Sequence, residues 1–138
     1  MNPNDIRPNI FPALRYRDPE RALEWLEQAF GFEQKAVYRD DAGAIQHAEL
    51  RLGAGLIMFG GYDENGVMGG EPPRPLASTT SIYAVVADPD AHYARSNAAG
   101  ARIVRELADQ PYGSREYSAR DLEGNLWSFG TYDPYSTE

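Results

Sequence analysis

The chain has 138 residues, of which 42% are hydrophobic and 25% charged, and its formal net charge at pH 7 is −8. This composition is typical of a globular protein of one domain or two joined halves, and the absence of cysteine excludes thiol catalysis, cysteine-bound metals and disulfides. The negative charge disfavours nucleic acid and anionic membranes as partners; it either attracts a cationic ligand or simply keeps the protein in solution.

No part of the sequence predicts a targeting signal or a membrane span. The first residues, MNPNDIRPN, lack the basic start and apolar core of a signal peptide. No run approaches the roughly 20 apolar residues that a membrane helix needs. We therefore expect a cytoplasmic protein.

The first half of the chain predicts one strand, one helix and three further strands. Asp18-Pro19 is typical of a helix start, because aspartate accepts hydrogen bonds from exposed N–H groups and proline has no N–H to leave unpaired. Apolar residues then recur with helical spacing as far as Phe30, and Gly31 ends the helix. Alternating segments predict strands at about 10–17, 34–39, 45–52 and 56–61.

The second half repeats this order about 70 residues later. NLWSFGTYD at 125–133 matches GLIMFGGYD at 55–63 in five of nine positions, and a second Asp-Pro pair stands at 88–89. The predicted helix at about 89–99 has a stripe of small residues, namely Ala91, Ala94 and Ala98. The predicted strands lie at about 80–87, 102–107, 115–120 and 126–131.

These elements predict an α+β fold made of two tandem βαβββ modules. The modules cover residues 8–62 and 79–133. The segment between them, 63–78, is rich in glycine and proline, so we interpret it as a linker or a lid over a pocket.

Alternation along the strands sorts their residues into two faces. One face carries apolar residues such as Leu50 and Phe129, and should pack on the helix of its module. The opposite faces mix aromatic, aliphatic and polar groups; they should line a shared concavity for a small organic ligand, unless they are solvated or packed together. The residues predicted on these opposite faces are Phe11, Arg15, His47, Glu49, Met58, Ser81, Tyr83, Tyr117 and Ser128.

Three of these residues could form an acid–base site. His47 and Glu49 are two positions apart on one strand, so their side chains share a face, and Tyr117 stands 70 positions after His47. This set would suit catalysis without a metal, but we favour a polar pair that satisfies itself or orients a ligand. His92 lies alone in the second helix and is expected at the surface or the edge of the core.

Three stretches of the chain carry a resemblance to a known family. They are ALRYRDPERALEWLEQAFGF in the first half, and SIYAVVADPDAHYARSNAAGARIV and YSARDLEGNLWSFG in the second. They resemble the vicinal oxygen chelate superfamily, which includes glyoxalase I, extradiol dioxygenases, and the bleomycin and fosfomycin resistance proteins. Over about residues 8–133, the resemblance implies cupped mixed sheets with helices on their outer faces.

The resemblance also implies where a metal ion would be bound. Enzymes of the superfamily have four His or Glu ligands, one on the first and one on the last strand of each module. The matching positions are Phe11, Met58, Ser81 and Ser128, which supply neither imidazole nor carboxylate. The chain is therefore similar to metal-free members of the bleomycin-resistance type, which sequester a compound, often between the subunits of a dimer.

Together, the residues and this resemblance imply a metal-free, cofactor-free homodimer that binds a small molecule, such as an antibiotic-like or aromatic compound. In this interpretation Phe11, Arg15, Met58, Ser81, Tyr83 and Ser128 bind the ligand. The alternative is a lyase, isomerase or dioxygenase of the same superfamily that acts on a small metabolite. It would use His47, Glu49 and Tyr117, or a relocated metal.

Overall fold

A computed structural model of the chain describes residues 8–62 and 80–136. The described residues form two compact units, each with a four-stranded mixed sheet and a helix. No helix among them is long and apolar enough to cross a membrane. The predicted linker at 63–78 lies outside the described residues.

The first unit has the predicted order of strand, helix and three strands. Its elements are β1 (Ala13–Tyr16), α1 (Pro19–Trp25), β2 (Glu33–Arg39), β3 (Ile45–Leu52) and β4 (Gly55–Gly61). The sheet order is β1-β4-β3-β2. β1 runs parallel to β4, and the other neighbours are antiparallel. The first and last strands of the unit are therefore adjacent.

Helix α1 begins where the sequence predicts and changes geometry before its predicted end. The Asp18 side chain accepts a hydrogen bond from the Arg21 N–H at 3.1 Å, and Pro19 is the first helical residue. The α-helix ends at Trp25, and a wider π-helical turn, Leu26–Phe30, follows. Gly31, at φ 82°, then ends the helix in a left-handed conformation. The single helix predicted up to residue 30 is thus an α-helix followed by a π turn.

The second unit repeats the arrangement of the first. Its elements are β5 (Ile82–Val85), α2 (Pro89–Ala98), β6 (Arg102–Asp109), β7 (Arg115–Arg120) and β8 (Leu126–Gly130). The sheet order is β5-β8-β7-β6, with β5 parallel to β8. The α+β fold of two βαβββ modules is therefore confirmed.

The buried side of α2 differs from the predicted stripe of small residues. Ala91, Ala94 and Ala98 are exposed, whereas Pro89 and Ser96 are buried. Alanine buries little apolar area, and the Ser96 hydroxyl gains a hydrogen bond of 2.8 Å to a tyrosine hydroxyl in β7. The prediction of an alanine face was wrong because polar contacts orient this helix.

Each unit has an aromatic core on the helix side of its sheet. In the first unit, Tyr16 and Phe59 are fully or almost fully buried and meet edge to face at 5.3 Å. In the second, Trp127 and Phe129 are buried together with Phe30. Residues 28–30, the end of the π turn, belong to this second unit. Its core is therefore completed by a segment that lies far away in the sequence.

Equivalent residues of the two units are 70 positions apart in β4 and β8, but only 69 positions apart in β3 and β7. Leu126 follows Leu56 by 70 positions, but their cross-strand partners, Arg120 and Arg51, are 69 positions apart. The extra residue lies in the loop at 121–125, between β7 and β8. Because side chains alternate along a strand, this single residue exchanges the two faces of β7 relative to the 70-residue repeat.

The shifted register places Tyr117 on the helix side of its sheet. Tyr117 lies opposite Phe129, as Ala48 lies opposite Phe59 in the first unit. It is therefore the counterpart of Ala48 and not of His47. The prediction that Tyr117 shares the ligand-facing side with Ser128 was wrong, since it applied the 70-residue repeat across the longer loop.

Candidate functional site

The face of each sheet that lies opposite its core, here called the distal face, carries most of the predicted ligand-binding residues. On the first sheet, Ala13, Met58, Glu49 and Ala36 form a row across the four strands. Met58 is central in this row, because it lies on β4 between Ala13 of β1 and Glu49 of β3. Its thioether adds a polarisable, adaptable surface at this point.

His47 and Glu49 contact each other on the distal face of the first sheet. The His47 Nε2 atom lies 2.9 Å from Glu49 Oε2, and the Lys35 ammonium donates to Glu49 Oε1 at 3.2 Å. The hydrogen bond with His47 and then that from Lys35 lower the pKa of Glu49 below its ordinary value. Glu49 is therefore a stable carboxylate and a weak base at neutral pH. It orients His47 and Lys35.

Arg15 and Phe11 lie along the edge of the same sheet. The Arg15 guanidinium lies over the Tyr62 ring, 4.6 Å from its centroid, in a cation–π contact. Phe11 is 39% exposed, and the next residue, Pro12, accepts a backbone hydrogen bond of 2.9 Å from Met58 N–H. The segment before β1 thus continues alongside β4, with an aromatic ring exposed to a ligand or solvent.

The second sheet has a matching row on its distal face. It consists of Tyr83, Ser128, Ser118 and Arg105. Ser128 and Ser118 are joined by a hydrogen bond of 2.7 Å between their hydroxyls, and the Tyr83 hydroxyl donates to the Tyr132 carbonyl at 2.8 Å. Ser81 is exposed immediately before β5. The row is polar and aromatic, without a charge at its centre.

Glu116 is a buried carboxylate on this distal face that the sequence reasoning missed. It is 4% exposed and accepts hydrogen bonds from Arg105 Nη2 at 2.9 Å and from the Tyr112 hydroxyl at 2.6 Å. Burial alone would raise the pKa of Glu116, but bonds from Tyr112, Ser114 and Arg105 outweigh it and lower that pKa. Gly130 lies beside it and leaves no room for a Cβ against the Glu116 side chain. A repeat of 69 residues would have identified Glu116 as the counterpart of His47.

Tyr117 belongs to a hydrogen-bonded chain under helix α2. Its hydroxyl lies 2.6 Å from His92 Nδ1 and 2.8 Å from Ser96 Oγ, and its side chain is fully buried. Burial raises the pKa of Tyr117 to about 12. The structure therefore brings His47 and Glu49 together but keeps Tyr117 on the helix side of its own sheet. It does not support Tyr117 as a member of the acid–base set.

At the other end of this series of hydrogen bonds, the contact with Phe30 fixes which ring nitrogen of His92 carries the proton. His92 Nε2 lies 2.8 Å from the Phe30 carbonyl, so Nε2 carries the proton and Nδ1 accepts from the Tyr117 hydroxyl. Burial lowers the pKa of His92 below its usual value of 6.5, and the nearby Arg95 lowers it further, against the effect of the Phe30 bond. His92 is thus a neutral structural residue.

We expect the stability of the protein to fall as the pH drops below about 6.5. The folded state holds His92 neutral, whereas the unfolded chain binds a proton there with a higher pKa. The free energy of unfolding should therefore rise with pH between the two values, with a slope of at most about 1.4 kcal/mol per pH unit from this group. Urea unfolding at pH 5.5 to 7.5 tests this. A His92→Gln variant with the same slope would contradict it.

Comparison with known proteins identifies the family. The model of the Glyoxalase/Bleomycin resistance protein/Dioxygenase superfamily matches residues 11–129. The chain belongs to this superfamily. TioX from Micromonospora sp. ML1 is 38% identical, with a TM-score of 0.69, over 94% of this chain and 100% of that one.

Two further relatives are more distant from the chain. A family enzyme from Burkholderia phytofirmans PsJN is 18% identical, with a TM-score of 0.70, over 88% of this chain and 95% of that one, and so shares the fold. An uncharacterized protein of Mycobacterium bovis is 29% identical over 129 residues, which are 91% of this chain and 84% of that protein.

The side chains at the four positions predicted to correspond to the superfamily's metal ligands do not fit a metal ion. The first unit offers a phenyl ring and a thioether there, at Phe11 and Met58. The second offers the hydroxyls of Ser81 and Ser128, and that of Ser128 is bonded to another serine. In residues 8–62 and 80–136, no three His, Asp or Glu side chains are grouped so that they could hold a metal. The His47–Glu49 pair supplies two donors, one fewer than the smallest protein ligand sets of catalytic zinc.

Proposed function

We propose that the chain is a metal-free small-molecule-binding protein of this superfamily, which sequesters its ligand rather than transforming it. The observation that carries this proposal is the set of groups at the four metal positions. A structural zinc site contributes on the order of 10 kcal/mol through thiolate, imidazole or carboxylate ligands. Thioether, hydroxyl and phenyl groups replace almost none of this free energy.

The chemistry of the distal faces supports a small organic ligand. Phe11, Met58 and Tyr83 provide aromatic and polarisable surface, while Arg15 and Ser128 provide polar contacts that can fix orientation. An aromatic or antibiotic-like compound fits this mixture. We also propose that the protein is a cytoplasmic homodimer, as in the bleomycin-resistance type, built from modules 8–62 and 79–133.

Metal analysis and thermal unfolding test the proposal together. After incubation with zinc, nickel, manganese and iron(II) and removal of excess ions, we expect less than one metal ion per chain and an unchanged unfolding temperature. In a panel of aromatic compounds and antibiotics, a ligand at 100 times its Kd should add about 2.7 kcal/mol of stability. Met58→Arg should abolish that gain, whereas the control Tyr135→Ala, at an 86% exposed position, should keep it. One tightly bound divalent ion per chain would refute the proposal.

A second candidate function is a metal-independent acid–base enzyme centred on His47. The 2.9 Å contact between His47 and Glu49 favours it, because a carboxylate that orients an imidazole is a common catalytic arrangement. In any assay that shows turnover, His47→Ala should then reduce kcat at least about a hundredfold, and Glu49→Gln should reduce it less. Unchanged turnover in His47→Ala would remove this candidate.

A further inference from the structure

Two arginines lie directly opposite each other on the distal face of the second sheet. Arg102 of β6 and Arg120 of β7 are cross-strand partners, in the row next to that of Ser118 and Ser128. Side chains at such positions have Cβ atoms about 5 Å apart, and like charges there destabilise a sheet. The pair therefore has an electrostatic cost in the unliganded protein.

In the first unit, the equivalent cross-strand pair carries opposite charges and has no such cost. The counterparts of Arg102 and Arg120, 69 residues earlier, are Glu33 and Arg51, and they are also cross-strand partners. Arg51 Nε lies 3.8 Å from Glu33 Oε2, which is an attractive ion pair. The repeat thus carries opposite charges in one copy and two positive charges in the other.

On the distal face of the second sheet, the described residues carry little negative charge near the two arginines. The adjoining row of the distal face, that of Ser118, contains no carboxylate. Glu116 lies one row further along β7, and it is buried and already paired with Arg105 at 2.9 Å. Within residues 8–62 and 80–136, no ion pair involves Arg102 or Arg120. Arg105, Arg102 and Arg120 together outnumber Glu116, so this face is locally positive.

We propose that Arg102 and Arg120 bind an oxyanionic group of the ligand, such as a carboxylate, phosphate or sulfate. A guanidinium donates two parallel N–H bonds to such a group, and an oxyanion between the two would replace repulsion by attraction. The Arg120 side chain is restrained by a hydrogen bond of 2.8 Å from its Nη1 to the Gly124 carbonyl, which uses one of its five N–H donors. The inference rests on the proposed function in that it specifies the ligand of the same distal face.

The overall charge of −8 does not prevent anion binding at this pair. At physiological salt the Debye length is about 8 Å, so exposed carboxylates farther away are largely screened. Two guanidinium groups in direct contact with the ligand then dominate the local potential. The ligand class that we infer is therefore anionic, although the net charge alone favours a cation.

Titration with simple anions at constant ionic strength tests the inference. The probes are inorganic phosphate, sulfate and benzoate, with benzamide as the uncharged match of benzoate, and binding is followed by NMR shifts of the arginine side chains. We expect saturable binding of at least one anion and none of benzamide. Arg102→Gln and Arg102→Glu should weaken anion binding at least about tenfold.

Two variants distinguish the binding role of Arg102 from effects on folding and on the overall charge. Arg102→Glu recreates the opposite charges of Glu33 and Arg51, so it should raise the unfolding temperature in anion-free buffer while it abolishes binding. Arg51→Gln removes the equivalent arginine of the first unit and should leave anion affinity unchanged.

Three results would overturn the inference. One is that no anion saturates the wild-type protein, and another is that the anion affinities of Arg102→Gln and wild type are equal. The third is a panel compound that binds wild type and Arg102→Glu equally well, which would leave the proposed metal-free binding function standing. Failure of that function would show instead as a bound metal ion, whatever Arg102 does.

Discussion

Replacing Phe30 with alanine should lower the free energy of unfolding by about 3 to 5 kcal/mol, as for other large aromatic residues removed from cores. Phe30 is fully buried, and its ring centroid lies 4.7 Å from that of Phe129 and 5.3 Å from that of Trp127. These rings cannot close the cavity that alanine would leave, since both belong to β8, an inner strand of the sheet. Urea unfolding followed by circular dichroism measures the loss.

Phe11→Ala is the matched control for this prediction. It removes the same side chain from a position that is 39% exposed, so the loss should be about 1 kcal/mol or less. Equal losses in the two variants would show that Phe30 does not belong to the core of the second unit.

Asp121→Ala should lower the free energy of unfolding by about 2 to 4 kcal/mol. Asp121 is 6% exposed, and its carboxylate accepts hydrogen bonds from the N–H groups of Glu123 and Asn125 at 3.0 Å and from Trp127 Nε1 at 3.1 Å. Alanine would leave the buried Trp127 N–H without its acceptor and the loop between β7 and β8 without its organising side chain. Chemical unfolding measures the loss, and the near-ultraviolet signal of the aromatic side chains, Trp127 among them, reports the change in packing.

Asp40 provides the control for Asp121. Its carboxylate also accepts two loop N–H groups, those of Ala42 and Ala44 at 2.9 Å, but Asp40 is exposed and contacts no buried indole. Water can replace these bonds, so Asp40→Ala should cost about 1 kcal/mol or less. If both aspartates cost the same, the burial of Asp121 and its bond to Trp127 are unimportant.

Local signals in the sequence were enough to predict the elements of the fold. Both helices begin at the predicted Asp-Pro pairs, because an aspartate cap and a proline at the first helical position act within one turn. The strands occur where the alternation predicts them, and Ile45–Leu52 and Arg115–Arg120 match their predicted bounds.

The face of β7 could not be predicted from the repeat alone. The match between β4 and β8 is strong, but it does not show that the second half has one extra residue in the 121–125 loop before β8. The inward side of α2 was missed for a related reason, since its contacts are hydrogen bonds of His92 and Ser96 with Tyr117. Pro89, His92 and Ser96 do recur at helical spacing, and that pattern could have indicated the buried side.

The candidate site remains a prediction in its finer parts. The register across the strands places Met58 and Ser128 in corresponding rows of the two sheets. Strand pairing defines these rows but not the ligand that they would contact. Whether these residues contact a ligand depends on that ligand, whose shape is not encoded in strand alternation. The opposing arginines at 102 and 120 became visible only when the strand pairing was known, because the residues are 18 positions apart in the sequence.

The parallel pairing of β1 with β4 has a consequence for synthesis on the ribosome. β1 ends at Tyr16, but its partner begins only at Gly55, so the nascent chain exposes an unpaired strand edge while nearly forty residues are added. Such an edge can template association with other chains. Slower translation through residues 17–54 would lengthen this exposure.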